Sequence, residues 1–248
     1  MTTDPLAPLL NLTDIATSVE HARERVDQAL RHRALRRHGG QVVAEVSLRS
    51  AVASAALEGY VHEREAVRGG TVTDPVLQGA LRIAGALPGF VDVWQKAPRQ
   101  VLAKLHVLAA RGVVPDDVLG RPSADVGVAA RIDGLATLIA GGTGVSPLVL
   151  AAVVHGELLA LRPFPGPSGV VARAAARLTL LSTGFDPRGL LAVDVGHQER
   201  EPEYLGAAGA YATGTPDGVR SWLRHYAAAI EVGADQLTTI GDEVLATA

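Results

Sequence analysis

Histidine is the side chain with the widest catalytic and metal-binding range in this sequence of 248 residues. Eight are present: His21, His32, His38, His62, His106, His155, His197 and His225. None forms a His-Glu-x-x-His pattern, and none has an acidic partner at the spacing of a metal site, so we expect no bound metal. Two of them, His106 and His155, fall in apolar helical runs, where a hydrogen-bonded core histidine is the expected role.

Basic residues cluster between residues 31 and 38: Arg31, His32, Arg33, Arg36, Arg37 and His38. The cluster is compatible with a patch that contacts phosphates. It is also compatible with the end of a helix, where cations face carbonyl groups that have no partner within the helix. We favour the second interpretation, because the net charge of the chain is −3 and no nucleic-acid partner is expected.

Several other chemistries are excluded by the sequence. The glycine-rich run 141–144 lacks the Lys-Ser/Thr of a phosphate-binding P-loop, so we expect it to end a helix. No Gly-x-Ser-x-Gly elbow of a serine hydrolase is present, and the absence of cysteine excludes disulfides, cysteine-ligated metals and a thiol nucleophile. The N-terminus has no basic signal region, and apolar runs are interrupted before the ~20 residues of a membrane span. We therefore expect a cytoplasmic protein without a membrane partner.

Helices must position the candidate residues, because apolar side chains recur at helical spacing and few segments alternate. Apolar residues make up 48% of the chain, enough to bury a core. We predict one all-α domain over residues 1–248, with N-terminal helices in 1–70 and the core in 71–248. The predicted helices cover 14–37, 41–57 (closed by Gly59), a segment starting at 74–75, 98–110, 125–139, 147–161, 168–181, 201–211 and 217–244.

The most specific pattern lies between residues 155 and 173. Its key residues are His155, Pro163, Phe164, Gly169 and Arg173. They resemble the signature of the Fic (Fido) family, His-Pro-Phe-x-Asp/Glu-Gly-Asn-Gly-Arg-x-x-Arg, and a histidine often found in the helix before it. The resemblance implies a Fic-like bundle of about eight to ten helices, with the signature on a loop between two antiparallel core helices.

A second match lies upstream, where Ser54, Glu58 and Gly59 fit the pattern Ser/Thr-x-x-x-Glu-Gly/Asn of the family's inhibitory helix. The resemblance implies that Glu58 reaches Arg173, the second arginine of the signature, and blocks productive ATP binding. A plain structural ion pair between Glu58 and Arg173 is the alternative interpretation.

The catalytic positions of the signature differ in this sequence. Active family members transfer AMP from ATP to a hydroxyl: the histidine removes the proton, the Asp/Glu holds Mg²⁺, and the Gly-Asn-Gly backbone and first arginine bind phosphates. The corresponding residues here are Arg162, Gly166, Pro167, Ser168 and Val170. A guanidinium is no general base, glycine offers Mg²⁺ no carboxylate, and proline lacks an N–H. We therefore predict that AMP transfer is lost and that Mg²⁺ does not bind.

Some capacity to bind an anion is still expected. Ser168 and Gly169 begin a predicted helix, whose free N–H groups favour negative charge. Arg162 and Arg173 add positive charge nearby, so ATP remains a possible ligand. In the alternative interpretation, Ser168 only caps its helix.

Two functional hypotheses follow. The favoured one is a binding or regulatory pseudoenzyme with a protein partner or self-association. The other is a transferase of a phosphate-containing group that uses His155 or Glu157 as its base. The resemblance places a target-binding loop near residues 116–127, but the sequence assigns it no chemistry.

Overall fold

The computed structural model describes residues 4–248, in which the chain forms helices and no β-strand. The α-helices are α1 Ile15–Ala29, α2 Gly39–Ala56, α3 Arg64–Arg68, α4 Pro75–Ala86, α5 Val91–Trp94, α6 Pro98–Ala110, α7 Val126–Gly141, α8 Pro147–Leu161, α9 Ser168–Ser182, α10 Val193–Glu199, α11 Glu201–Ala212 and α12 Pro216–Thr247. Apart from the short α3 and α5, the helices of these residues agree with the predicted eight to ten. The all-α prediction is confirmed.

Short polar side chains start several helices where the sequence predicted them. Asp74 accepts a hydrogen bond from the Leu77 N–H (2.8 Å) and Asp125 accepts one from the Val128 N–H (3.0 Å). Such caps satisfy N–H groups that have no partner within the first turn. The predicted start of the last helix is likewise confirmed, because the Thr215 hydroxyl accepts from the Gly218 N–H.

The predicted helix 14–37 is wrong in its last third. α1 ends at Ala29, and a separate 3-10 turn follows at Arg33–Arg36. The His32 ring accepts a hydrogen bond from the Ala34 N–H and so starts this new turn. The whole basic cluster, residues 31–38, therefore lies beyond the end of α1. The short helices α3 and α10 were not predicted.

The centre of the fold is the pair α8 and α9, which pack against each other along their length and are joined by residues 162–167. Because the connection is short, the two helices are antiparallel, as predicted. The long α12 packs on α1, α10 and α11, and α2 packs on α4 and α10. Trp94, Trp222 and Tyr226 are among the largest fully buried side chains of this core.

One stretch, Pro75–Trp94, is long and apolar enough to cross a membrane by length and composition. It is an exception to the expectation that no apolar run reaches that length. In the fold it consists of α4, a 3-10 turn and α5, and Leu77, Ile83 and Trp94 are buried. These features are typical of a core segment.

Candidate functional site

The loop between α8 and α9 begins at Arg162, whose backbone is left-handed (φ 43°, ψ 59°) and whose side chain is exposed. Pro163 and Phe164 follow and are buried. The Pro163 carbonyl accepts a hydrogen bond from the Ser123 N–H (2.8 Å), which connects the loop to the segment before α7. The loop is therefore held by its backbone while the Arg162 guanidinium points to solvent.

His106 on α6 fixes the same loop from another side. Its ring stacks on Phe164 (centroids 4.7 Å apart, 17° between planes), and its Nδ1 accepts a hydrogen bond from the Gly120 N–H (2.9 Å). Nε2 must then carry the proton, and it donates to the Pro165 carbonyl (2.9 Å). Burial lowers the pKa of His106, which favours this neutral form. The expected role as a hydrogen-bonded core histidine is confirmed.

Arg173 on α9 lies at the centre of the site with only 2% of its surface exposed. Its Nε donates to the Ser54 hydroxyl and its Nη2 to the Ser54 carbonyl, both at 2.8 Å. Nη2 also donates to Glu58 Oε1 (2.8 Å), and Nη1 donates to the Tyr204 hydroxyl (3.2 Å). The structure thus brings together Ser54, Glu58 and Arg173, which the resemblance places in one contact.

A second carboxylate also faces Arg173, because Asp194 Oδ1 lies 3.7 Å from its Nε. Burial alone would disfavour the charged guanidinium. The surrounding Tyr204, Glu58 and Asp194 outweigh burial and raise the pKa of Arg173. Arg173 therefore stays charged in the core.

The start of α9 lies beside the Glu58 carboxylate. A methyl group at Gly169 would overlap Glu58 Oε1 and would come within 3.0 Å of Arg173 Nη1, so this glycine leaves room for the pair. The Ser168 N–H bonds the Gly166 carbonyl (2.7 Å), whereas the N–H groups of Gly169 and Val170 have no acceptor within residues 4–248. The interpretation of Ser168 as a helix cap is wrong, because Ser168 is the first residue of α9 and Pro167 occupies the cap position.

The positions that would carry AMP-transfer chemistry hold no such groups. Gly166 has a left-handed backbone (φ 76°), and a Cβ there would lie 2.8 Å from Val114 Cγ1, too close for a side chain. Val170 is buried in the core. Within the described residues, no group of three or more His, Asp or Glu side chains is arranged to hold a metal. The position that holds the Mg²⁺ ligand in the signature therefore carries no carboxylate and has no room for one.

One of the two alternative bases is buried and the other is paired. His155 is fully buried, and its Nε2 shares a hydrogen bond with the Tyr204 hydroxyl (3.1 Å). Glu157 pairs with Arg131 (2.7 Å) and accepts from the Tyr211 hydroxyl (3.1 Å). A proton transfer by His155 would therefore require the core to open, and one by Glu157 would require it to leave Arg131.

A buried cluster beneath Arg173 could not be found from the sequence. Tyr204 bridges Arg173 and His155, and its ring lies 4.7 Å from that of His197. His197 Nδ1 in turn shares a hydrogen bond with His225 Nε2 (3.0 Å). Burial lowers the pKa of His155 and His197 well below the ordinary value and that of His225 to about 4. These residues come from α8, α10, α11 and α12, and no spacing in the sequence connects them.

Solved structures with the same arrangement of helices come from Fic proteins. A Fic family protein from Desulfovibrio desulfuricans G20 superposes with a TM-score of 0.70 at 20% identity, covering 90% of this chain and 74% of that one. Fic-1 from C. elegans superposes with a TM-score of 0.69 at 15% identity, covering 96% and 75%. A glutamate-to-glycine variant of Fic-1 gives 0.68 at 18% identity, covering 94% and 74%.

At these identities the likeness establishes the fold, so this chain has the Fic (Fido) fold. No protein-family model matches the sequence, and no curated protein matches it.

Proposed function

We propose that this Fic-fold protein does not transfer AMP by the Fic reaction and acts as a binding or regulatory pseudoenzyme. The observation that carries the proposal is the set of partners of Arg173. Its hydrogen bonds to Ser54, Glu58 and Tyr204 engage four of the five N–H groups of a guanidinium. A phosphate could bind Arg173 only by displacing groups of the chain itself.

The loop also lacks a base. Arg162 stands where the signature has histidine, and a guanidinium stays protonated near neutral pH. Loss of a general base alone costs roughly 10²–10⁴ in rate. His155 could replace it only if the core opened, because its side chain is fully buried.

The missing Mg²⁺ ligand supports the same conclusion. Gly166 offers no carboxylate, and Val114 leaves no room for one. Val170 also replaces the first arginine, which removes a bidentate phosphate clamp. Base, metal ligand and clamp are thus lost together.

One feature favours retained anion binding, and with it the second candidate function. The free N–H groups of Gly169 and Val170 lie at the start of a 15-residue helix, near the exposed Arg162. Ser168 and Gly169 with Arg162 are the residues that would hold a phosphate once Glu58 moved away. A transferase of a phosphate-containing group would use this position, with His155 or Glu157 as its base.

The test is calorimetric titration of ATP, with and without Mg²⁺, into the wild type and Glu58→Gly. We expect no Mg²⁺-dependent binding in either protein, and any binding of ATP alone should strengthen in Glu58→Gly. Tight Mg²⁺-dependent binding would contradict the proposal and favour the transferase.

The pseudoenzyme also requires an interaction, and we propose a protein partner or self-association in the cytoplasm. Sedimentation and affinity capture at micromolar concentration test this part. A monomer that captures no partner would contradict it.

A further inference from the structure

We propose a second ligand site in a groove between α1, α11 and α12, which binds a small molecule through its phosphate group. The groove has a volume of ≈ 380 Å³, and Arg200, Arg220, Ser221 and Arg224 line it. None of its lining residues belongs to the loop 162–167 or contacts Arg173. The inference therefore goes beyond the proposed function.

Three guanidinium groups share this groove. Arg220 and Arg224 are one turn apart on α12, so their side chains are neighbours on one helix face. Arg200 lies at the junction of α10 and α11 and lines the same groove. Like charges at this spacing repel each other unless an anion lies between them.

The acidic residues of the groove neutralise only part of this charge, because two glutamates, Glu203 and Glu231, line it beside three arginines. Glu203 pairs with Arg200, and Glu231 bonds the His21 ring (3.0 Å). Among residues 4–248, the one acidic partner of Arg220 is Asp217 at 3.8 Å, whose side chain is 95% exposed. A surface contact of this kind contributes little.

Hydrogen-bond donors in the groove lack acceptors. In residues 4–248 the Arg224 guanidinium makes no hydrogen bond or ion pair. The Nε of Arg200 is buried and has no partner there either. A buried donor without an acceptor is costly, so an oxyanion that accepts from the Nε of Arg200 would be stabilised, and the exposed Arg224 guanidinium adds positive charge to the same groove.

Size and donor geometry favour a phosphate. Planar guanidinium groups match its oxygens in bidentate fashion, and two insufficiently paired arginines match its double charge. The Ser221 hydroxyl adds a further polar group, while Ala227 and Ala228 line the groove with small side chains. The volume lies within the range of sites for small molecules, about 300–1,000 Å³.

The experiment is calorimetric titration of inorganic pyrophosphate at low ionic strength into the wild type and Arg224→Gln. Arg36→Gln is the matched control, because Arg36 is exposed and outside the groove, and the same charge is removed. We expect one saturable site in the wild type and in Arg36→Gln, and at least about tenfold weaker binding in Arg224→Gln. Equal affinity in Arg224→Gln, or no saturable site in the wild type, would overturn the proposal.

Succinate serves as a second probe, since a carboxylate pair could use the same arginines. Tighter binding of succinate than of pyrophosphate would overturn the assignment to phosphate. Thermal melting of Arg224→Gln verifies that this surface variant is folded.

The proposed phosphate site in the groove can be tested separately from the proposed function of the Arg173 site. Glu58→Gly should leave the affinity of the groove for pyrophosphate unchanged, because Glu58 does not line it, and any additional site that appears in this variant belongs to the start of α9. An increase in ATP affinity from Arg224→Gln to the double variant Glu58→Gly/Arg224→Gln belongs to the start of α9, because Glu58 lies outside the groove.

Discussion

Arg173 is a buried cation, and a buried cation needs acceptors whether or not a ligand is present. Ser54, Glu58 and Tyr204 provide them, with Asp194 as a second counter-charge. The contact between Glu58 and Arg173 could be expected from their two motifs. The contacts of Tyr204 and Asp194 with Arg173 could not be expected, because these two residues come from segments without a recognisable pattern.

The variant Glu58→Ala tests how much the ion pair between Glu58 and Arg173 contributes to stability. We expect the free energy of unfolding to fall by about 1.5–3 kcal/mol, the usual loss for a hydrogen bond to a charged group. The cost stays below that of a fully isolated charge because Asp194 remains 3.7 Å from Arg173. Urea unfolding measures it, with Glu63→Ala as the control, because that glutamate is exposed and makes no ion pair within the described residues. Equal stability of Glu58→Ala and wild type would show that the pair contributes nothing.

Gly169→Ala tests whether Glu58 lies against the start of α9. The added methyl group should push Glu58 away and destabilise the wild type by about 1–3 kcal/mol. In the Glu58→Ala background the overlap with Glu58 is absent and only the 3.0 Å approach to Arg173 Nη1 remains, so the same substitution should cost clearly less. Urea unfolding of the four proteins forms a double-mutant cycle. Additive effects would place Glu58 elsewhere.

At the scale of elements, the helices with strong start signals are the ones the sequence predicts. Asp74 and Asp125 cap their helices as expected. The short α10 has no side-chain cap and lies between irregular segments, so propensity alone could not find it. α1 ends early because the His32 ring starts a new turn, an interaction that helical periodicity does not reveal.

Alanine substitutions at two glycines within helices distinguish the effect of packing from the effect of helix propensity. A methyl group on Gly156 of α8 would lie 2.8 Å from Trp222 Nε1, whereas one on Gly134 of α7 would have no neighbour within 4 Å. We expect Gly156→Ala to lower the free energy of unfolding by about 1–3 kcal/mol through overpacking. Gly134→Ala should raise it by about 0.5–1 kcal/mol, because alanine favours the helix. Thermal melting compares the two variants, and a stabilised Gly156→Ala would mean that α8 and α12 are not in close contact.

The whole molecule should lose stability in acid because of its buried histidines. Their pKa values are lower in the folded chain than in the unfolded one, so below about pH 6.5 the unfolded chain binds protons that the folded chain does not. The stability therefore falls as the pH drops from 6.5 toward the folded pKa, which is about 4 for His225. His225 alone should account for roughly 2 kcal/mol between pH 7 and pH 5.

Urea unfolding at several pH values measures this loss. His225→Gln, which cannot be protonated, should flatten the dependence in this window. An equally steep dependence in that variant would exclude His225 as a source.

The fold and the loss of catalytic groups could both be predicted from the sequence, since they depend on periodicity and on five motif positions. The groove of arginines could not be predicted, because Arg200 and Arg224 meet only in three dimensions.

The central claim is that the Fic fold persists here without AMP transfer. The most direct measurement incubates the wild type and Glu58→Gly with ATP labelled on the α-phosphate, Mg²⁺ and cell lysate, beside an active Fic enzyme. Our account predicts label transfer by the active enzyme and none by either form of this protein. The account would be contradicted if labelled protein formed in the reaction with Glu58→Gly and did not form when that variant was omitted.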